Sequence, residues 1–346
     1  MVHDRDITID ILRGIAIFTM VASNLSAVVL VEPHPFWLRV YGSFAAPLFI
    51  LLAGMMVVFA AQTKEYSLKY FLSRGSVIII AGALVDILIW NICPFMTVDV
   101  LYLIGISIPI AYFVSRLNTY FQWIIVLSIF LLTPILQTVL GYTDFPTEYY
   151  IWGEPTIIVE NQTNILNHWL VDGWFPVFPW MGFSLLGVII ANIRWKYKSP
   201  TLFGKKNISL IGICILGFGS IIWWHYPGKM LVRAGYGELF YPPTIGYIIS
   251  TIGLIVLLFS LIDYRPSITI YKPLQVLGQS SLFMYILHLA LIKDVIAPIW
   301  SEENLQAFLV IYIALSSFLI LVAYGLRALK NKWKIRPFVI RVLFGG

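Results

Sequence analysis

Asp10, Arg13 and Asn24 fall on positions that step by three and four through the apolar run IDILRGIAIFTMVASN, with Ile17 and Met20 between them. At 3.6 residues per turn this spacing places all five on one helix face, which is apolar in its middle and polar at both ends. A carboxylate one turn from a guanidinium can close an i,i+3 ion pair, or it can hold the guanidinium towards an anionic ligand. Arg13 and Asn24 lie about 16 Å apart along the helix at 1.5 Å per residue. A long, thin ligand on this face would meet charge at one end and an amide at the other.

A second set of groups follows. His34 lies between two prolines in VEPHPFW, a stiff segment that holds the imidazole at the end of the first apolar run. A histidine near its ordinary pKa suits proton transfer at neutral pH, although a lone loop histidine is more often merely solvated. Arg39 stands just beyond it, and Asp86 and Asp99 lie at the ends of later apolar runs. Asp86 is expected to pair with Arg39 or with a histidine. In LGQSSLFMYILHL the residues Gly278, Ser281, Tyr285 and His288 again step by three and four, and for His288 a structural hydrogen-bonded role is the simpler reading. Ionisable groups at membrane depth cost roughly 2.5 to 3.5 kcal/mol each on insertion scales, so they face a partner, a bundle interior or a water-filled cavity.

The elements that must position these residues are membrane helices. Of 346 residues, 60% are hydrophobic and 12% charged, against roughly 25% charged in a soluble domain. Ten apolar runs of spanning length are drawn near 8–30, 38–61, 71–92, 98–117, 120–140, 174–193, 207–225, 243–262, 274–296 and 305–327. The expected fold is all-α and polytopic, one domain over 1–346. The first run is read as a retained helix rather than a signal peptide. Of the 23 Lys and Arg residues, only Arg39, Lys229, Arg233 and Lys293 fall on one side of this topology, which puts both termini in the cytoplasm. The same bias accounts for the net charge of +6 without a nucleic-acid partner. Cys93 and Cys214 form neither a metal motif nor a disulfide framework, and no metal is expected.

The outer segment 141–173 is long, aromatic and acidic, and is expected to cover something on the outer face. SFAAPLFILLAG in the second run and WFPVFPWMGFSLLG in the sixth combine small residues with proline, which favours close helix contacts and broken helices beside a polar seam. Such features also mark translocation paths, so a transporter or flippase for a small carboxylate, sugar or lipid is the competing class.

The order of several stretches resembles the transmembrane acyltransferase superfamily, in particular heparan-alpha-glucosaminide N-acetyltransferase and its bacterial relatives. They are ID-x-LRGIAI-x-x-M-x-x-x-N, HPFW, FAAPLFILLAG, the DVLYLIG run from Asp99, FPVFPWMGFSLLG and LGQSSLFMYILHL, spread from about residue 5 to 295. The resemblance implies an enzyme that takes an acetyl group from cytosolic acetyl-CoA and hands it to an amino sugar across the membrane. His34 in its H-x-x-W setting with Trp37 would be catalytic, as base or acyl carrier, with Asn24 beside it as oxyanion donor. Arg13, Arg74 and Arg5 would then meet the CoA phosphates, with Asp10 orienting Arg13. Arg39, Asp86, His288 and Trp37 would line an outer pocket for a sugar or glycan acceptor. A multi-pass protein of the plasma (cytoplasmic) membrane follows, and homodimerisation is implied by the resemblance alone.

Overall fold

The computed structural model describes residues 5–64, 66–142, 149–152, 164–196, 204–226, 237–333 and 337–345. Among them the regular elements are all helices. The helices are α1 (Ile7–Val29), α2 (Phe36–Ser43), α3 (Ala45–Lys64), α4 (Leu68–Val85), α5 (Val100–Val114), α6 (Thr119–Leu140) and the single turn α7 (Ile165–Asn167). They continue with α8 (Val177–Lys196), α9 (Lys206–His225), α10 (Ile245–Tyr264), α11 (Lys272–Gly278), α12 (Ser281–Ala290), α13 (Leu305–Lys332) and α14 (Phe338–Phe344). Most of the predicted outer loop, residues 143–148 and 153–163, lies outside the described residues, as do Lys229 and Arg233.

Each of the ten predicted runs coincides with helix, but they are not ten equal spans. Among the described residues eight stretches are long and apolar enough to cross a membrane, counting α2 with α3 and α4 with its continuation to Trp90 as single spans. The fourth run yields only Val100–Val114, about 22 Å of helix against a hydrocarbon core of about 30 Å. The ninth run is bent by 77° between Thr269–Gly278 and Ser281–Ile296. The protein is an integral, multi-pass, all-α membrane protein.

Local chemistry sets the ends of α1. Asp6 caps it by accepting from the backbone N–H groups of Thr8 at 3.1 Å and Ile9 at 3.4 Å. Beyond Leu30 the prolines on either side of His34 prevent the helix from continuing and direct the chain into α2. The central spans are Phe36–Thr63 and Val177–Trp195, each burying 72% of its apolar window, whereas Lys206–His225 buries 17% and presents most of its Leu, Ile and Phe side chains outward to lipid.

Several crossings bring backbones into direct contact, two of them beside the polar seam. α1 packs on α11, where a Cβ on Gly278 would lie 1.9 Å from the Asp10 carbonyl oxygen and one on Gly14 would lie 2.0 Å from that of Leu274. Only glycine fits at either position. α3 and α8 cross in the same way through Gly54 and Gly187, as the small residues of the second and sixth runs predict.

The breaks fall differently from the sequence expectation. Pro47 sits in the first turn of α3, where a missing N–H costs little, and α8 is irregular only at Phe178, the residue before Pro179. The sharp bend is instead in the ninth span, which contains no proline at the break. There Gly278 is drawn onto α1, and the Lys330 ammonium of α13 donates to the freed Gln279 carbonyl at 3.4 Å and to the Ser280 hydroxyl at 2.8 Å. Gly278 therefore does not share a continuous helix face with Ser281, Tyr285 and His288.

Candidate functional site

At the cytoplasmic end of α1 a cavity of about 630 Å³ opens between α1, α3, α4, α5, α12 and α14. Its lining contains four arginines, Arg5, Arg13, Arg74 and Arg341, together with Asp6 and Asp10. Deeper in, the walls turn apolar through Phe49, Ile78, Leu101, Ile104 and Ile108. All four donor-site residues expected from the sequence thus meet in one space, because α1 and α4 bring their cytoplasmic ends together around it.

The charges in this cavity are unequal in what already binds them. Arg13 makes no side-chain hydrogen bond among the described residues, and Arg74 donates only to the Tyr70 hydroxyl at 3.3 Å. The Asp10 carboxylate is buried and stands 3.9 Å from the Arg5 guanidinium. Its ion pair is therefore with Arg5, not with Arg13 one turn along, so of the two readings open from the spacing the closed i,i+3 pair is not formed. Asp6 is held elsewhere: Arg194 donates to it through Nε at 2.7 Å and Nη2 at 3.1 Å. The same guanidinium donates to Asp263 at 2.5 and 3.1 Å, and the Thr8 hydroxyl adds a bond to Asp263 at 2.7 Å. This knot ties α1, α8 and α10, and it leaves the cavity positive and well matched to phosphate.

At the outer end the expected residues fall into linked pairs. Asn24 and His288 meet with Nδ2 2.9 Å from Nε2. His288 Nδ1 lies 3.1 Å from the Met284 carbonyl and must be the protonated nitrogen. His288 Nε2 is then the acceptor, and among the described residues Asn24 keeps one amide hydrogen uncommitted. His34 reads the opposite way, since Nε2 donates to the Leu30 carbonyl at 3.1 Å and Nδ1 carries the free lone pair. That lone pair faces Gly237, where even a Cβ would approach to 3.3 Å.

The segment from Gly237 gathers the rest. Arg39 Nε donates to the Gly237 carbonyl at 2.8 Å, Ser23 donates to Glu238, and the Ser43 hydroxyl accepts from the Leu239 N–H at 2.8 Å. His34, Arg39 and the neighbour of Asn24 therefore converge on one stretch of chain, although His34 itself does not bond to Asn24. Two expected members stand apart. Asp86 is wholly buried and accepts from the Tyr102 hydroxyl at 2.5 Å, while Arg39 is directed to Gly237. Trp37 is 53% exposed on α2, as an interfacial tryptophan is.

Between cavity and outer cluster lies the Tyr285 hydroxyl, donating to both oxygens of Asp99 at 3.2 and 2.9 Å. Ser281 lines the cavity and His288 stands seven residues on along α12, so one short helix runs from the donor space to the outer pairs. In segment 164–172 the buried His168 and Asp172 pair at 2.8 Å, with Asn167 donating to the same carboxylate at 3.1 Å. The sequence reading missed this cluster, Arg341 and the Arg194 knot.

The family model described as "Heparan-alpha-glucosaminide N-acetyltransferase, catalytic" matches residues 5–226. The chain belongs to this family. No curated protein sequence matches it. Acetyltransfer is the activity of the family's catalytic region, and the matched segment carries Arg5, Asp10, Arg13, Asn24, His34 and Arg74. His288 and Arg341 lie beyond it.

Proposed function

We propose that this chain is an acetyltransferase of the plasma (cytoplasmic) membrane that takes an acetyl group from cytosolic acetyl-CoA and passes it to an amine or hydroxyl of a sugar or glycan on the outer side. The observation that supports this reading is the cavity at the cytoplasmic end of α1, with guanidinium groups at its mouth and apolar walls above. Phosphates bind at the mouth, and the thioester arm extends inward along α1 and α12. His34 Nδ1 accepts the proton of the attacking amine or hydroxyl. A C–N or C–O bond to the acetyl carbon forms as the C–S bond breaks, and the departing thiolate is reprotonated. The free amide hydrogen of Asn24 stabilises the oxyanion. A two-step variant first acetylates His34.

Arg39 and Trp37 meet the acceptor, while the buried Asp86 and His288 act through Tyr102 and Asn24. In this reading the chain is one domain, the 141–173 loop covers the acceptor, and the protein works as a homodimer in the bilayer. The test is binding and hydrolysis or transfer of radiolabelled acetyl-CoA by the purified protein in detergent, comparing wild type with Arg13→Ala and His34→Ala. Saturable binding lost in Arg13→Ala, with binding kept but acetyl release or transfer down about 10²- to 10⁴-fold in His34→Ala, is the expected result. Absence of binding by wild type would sink the proposal.

A further inference from the structure

The sequence motifs account for Arg5, Arg13 and Arg74 but say nothing of the last helix. α14 follows all the spanning segments, yet Phe338, Arg341, Val342 and the adjoining Gly345 form one wall of the donor cavity. Its placement is fixed by three contacts. The Lys330 ammonium donates to the Phe344 carbonyl at 2.7 Å while holding the Gln279–Ser280 break. The Phe344 ring packs on Phe283 at 4.7 Å, and Phe338 meets Tyr70 edge-on at 5.7 Å. Gly345 closes the helix at φ +79°, where a side chain would collide with the Gln279 carbonyl at 2.1 Å.

This wall pairs aromatic rings with uncommitted charge. Tyr66 and Tyr70 stack with ring centroids 3.8 Å apart and both line the cavity beside Phe338. Arg341 is exposed and its side chain makes no hydrogen bond among the described residues, and Arg74 sits next to Tyr70. Aromatic faces next to guanidinium groups recognise a stacked base joined to phosphate. We infer that α14, through Arg341 and with Tyr66 and Tyr70, forms the subsite for the phosphorylated purine-nucleotide end of the thioester donor. Arg13 on α1 and Arg5 just before it are left to hold the diphosphate and direct the arm. The inference rests on the donor reading above and adds that selectivity for a full nucleotide over a short thioester resides in the C-terminal helix.

The experiment measures dissociation constants of two probes, acetyl-CoA and S-acetylpantetheine, for purified full-length protein in detergent. Wild type is compared with Arg341→Ala, Arg341→Lys, Tyr66→Ala and Lys330→Ala. The expected pattern is acetyl-CoA binding weakened about tenfold by Arg341→Ala and by Tyr66→Ala, with S-acetylpantetheine affinity unmoved. Arg341→Lys recovers part of the loss. Lys330→Ala, which frees α14 without touching the donor, gives the same selective loss. Wild-type affinity for acetyl-CoA in both Arg341→Ala and Tyr66→Ala overturns the inference and leaves the donor reading standing. An equal loss for both probes overturns it as well, because that reports collapse of the cavity. A wild-type protein that binds neither probe overturns the inference and the donor reading together.

Discussion

Two groups of arginines sit at the same cytoplasmic face and behave as opposites. Arg194 is 1% exposed and spends its guanidinium on Asp6 and Asp263. The side chains of Arg13 and Arg341, in the adjoining cavity, make no hydrogen bond among the described residues. Asp6 belongs to both regions, since it lines the cavity and is held by Arg194. The difference teaches how to separate structural from functional charge in a membrane protein. A saturated guanidinium has nothing left for a ligand, whereas an unsaturated one in a cavity has its donors still to place.

Removing the saturated arginine has the largest expected effect. Arg194→Ala strands the buried Asp263 carboxylate and the part-buried Asp6, and breaking a buried pair costs about 3–5 kcal/mol. Thermal melting in detergent should show a severe loss of folded protein; a wild-type melting temperature would break the distinction. Next comes Arg13→Ala, which should leave melting nearly unchanged and weaken acetyl-CoA binding by the roughly 1.5–3 kcal/mol of a charged hydrogen bond, at least tenfold. Salt sharpens the contrast further. Raising ionic strength should weaken donor binding at the open cavity while the buried knot, and so the melting temperature, stays put. The smallest effect is expected from Arg5→Ala on stability. The Arg5 side chain is 40% exposed and its contact with Asp10 is 3.9 Å long, and such pairs contribute about 0.2–1 kcal/mol. A melting shift rivalling that of Arg194→Ala would show that Arg5 is structural after all.

Hydropathy and charge bias made the helices legible, because every apolar run of spanning length became helix. They did not reveal that the ninth span bends at a Gly-Gln-Ser-Ser stretch. That bend depends on Gly278 meeting α1 and on Lys330 reaching in from α13, neither of which leaves a local pattern. That Asp10 and Arg13 line one cavity was readable for a related reason: they share a helix face. The knot was not, since Arg194 finds partners 188 and 69 residues away along the chain. Nor could spacing tell the two outer histidines apart. His34 keeps a lone pair and His288 gives its own to Asn24 because of a backbone carbonyl beside each ring, and that is set by the fold.

The Arg194 knot also has a consequence for biogenesis. Asp6 and Thr8 are made before α1 is complete, yet their respective partners Arg194 and Asp263 emerge only after most of the helices have been synthesised. Until then the N-terminal end of the first helix must wait at the cytoplasmic surface with its carboxylate hydrated. The arginine-lined cavity, bounded by that same end, cannot take its final shape before α10 is complete, so a ribosome-bound or truncated chain lacking α10 has helices in the bilayer but no finished cavity.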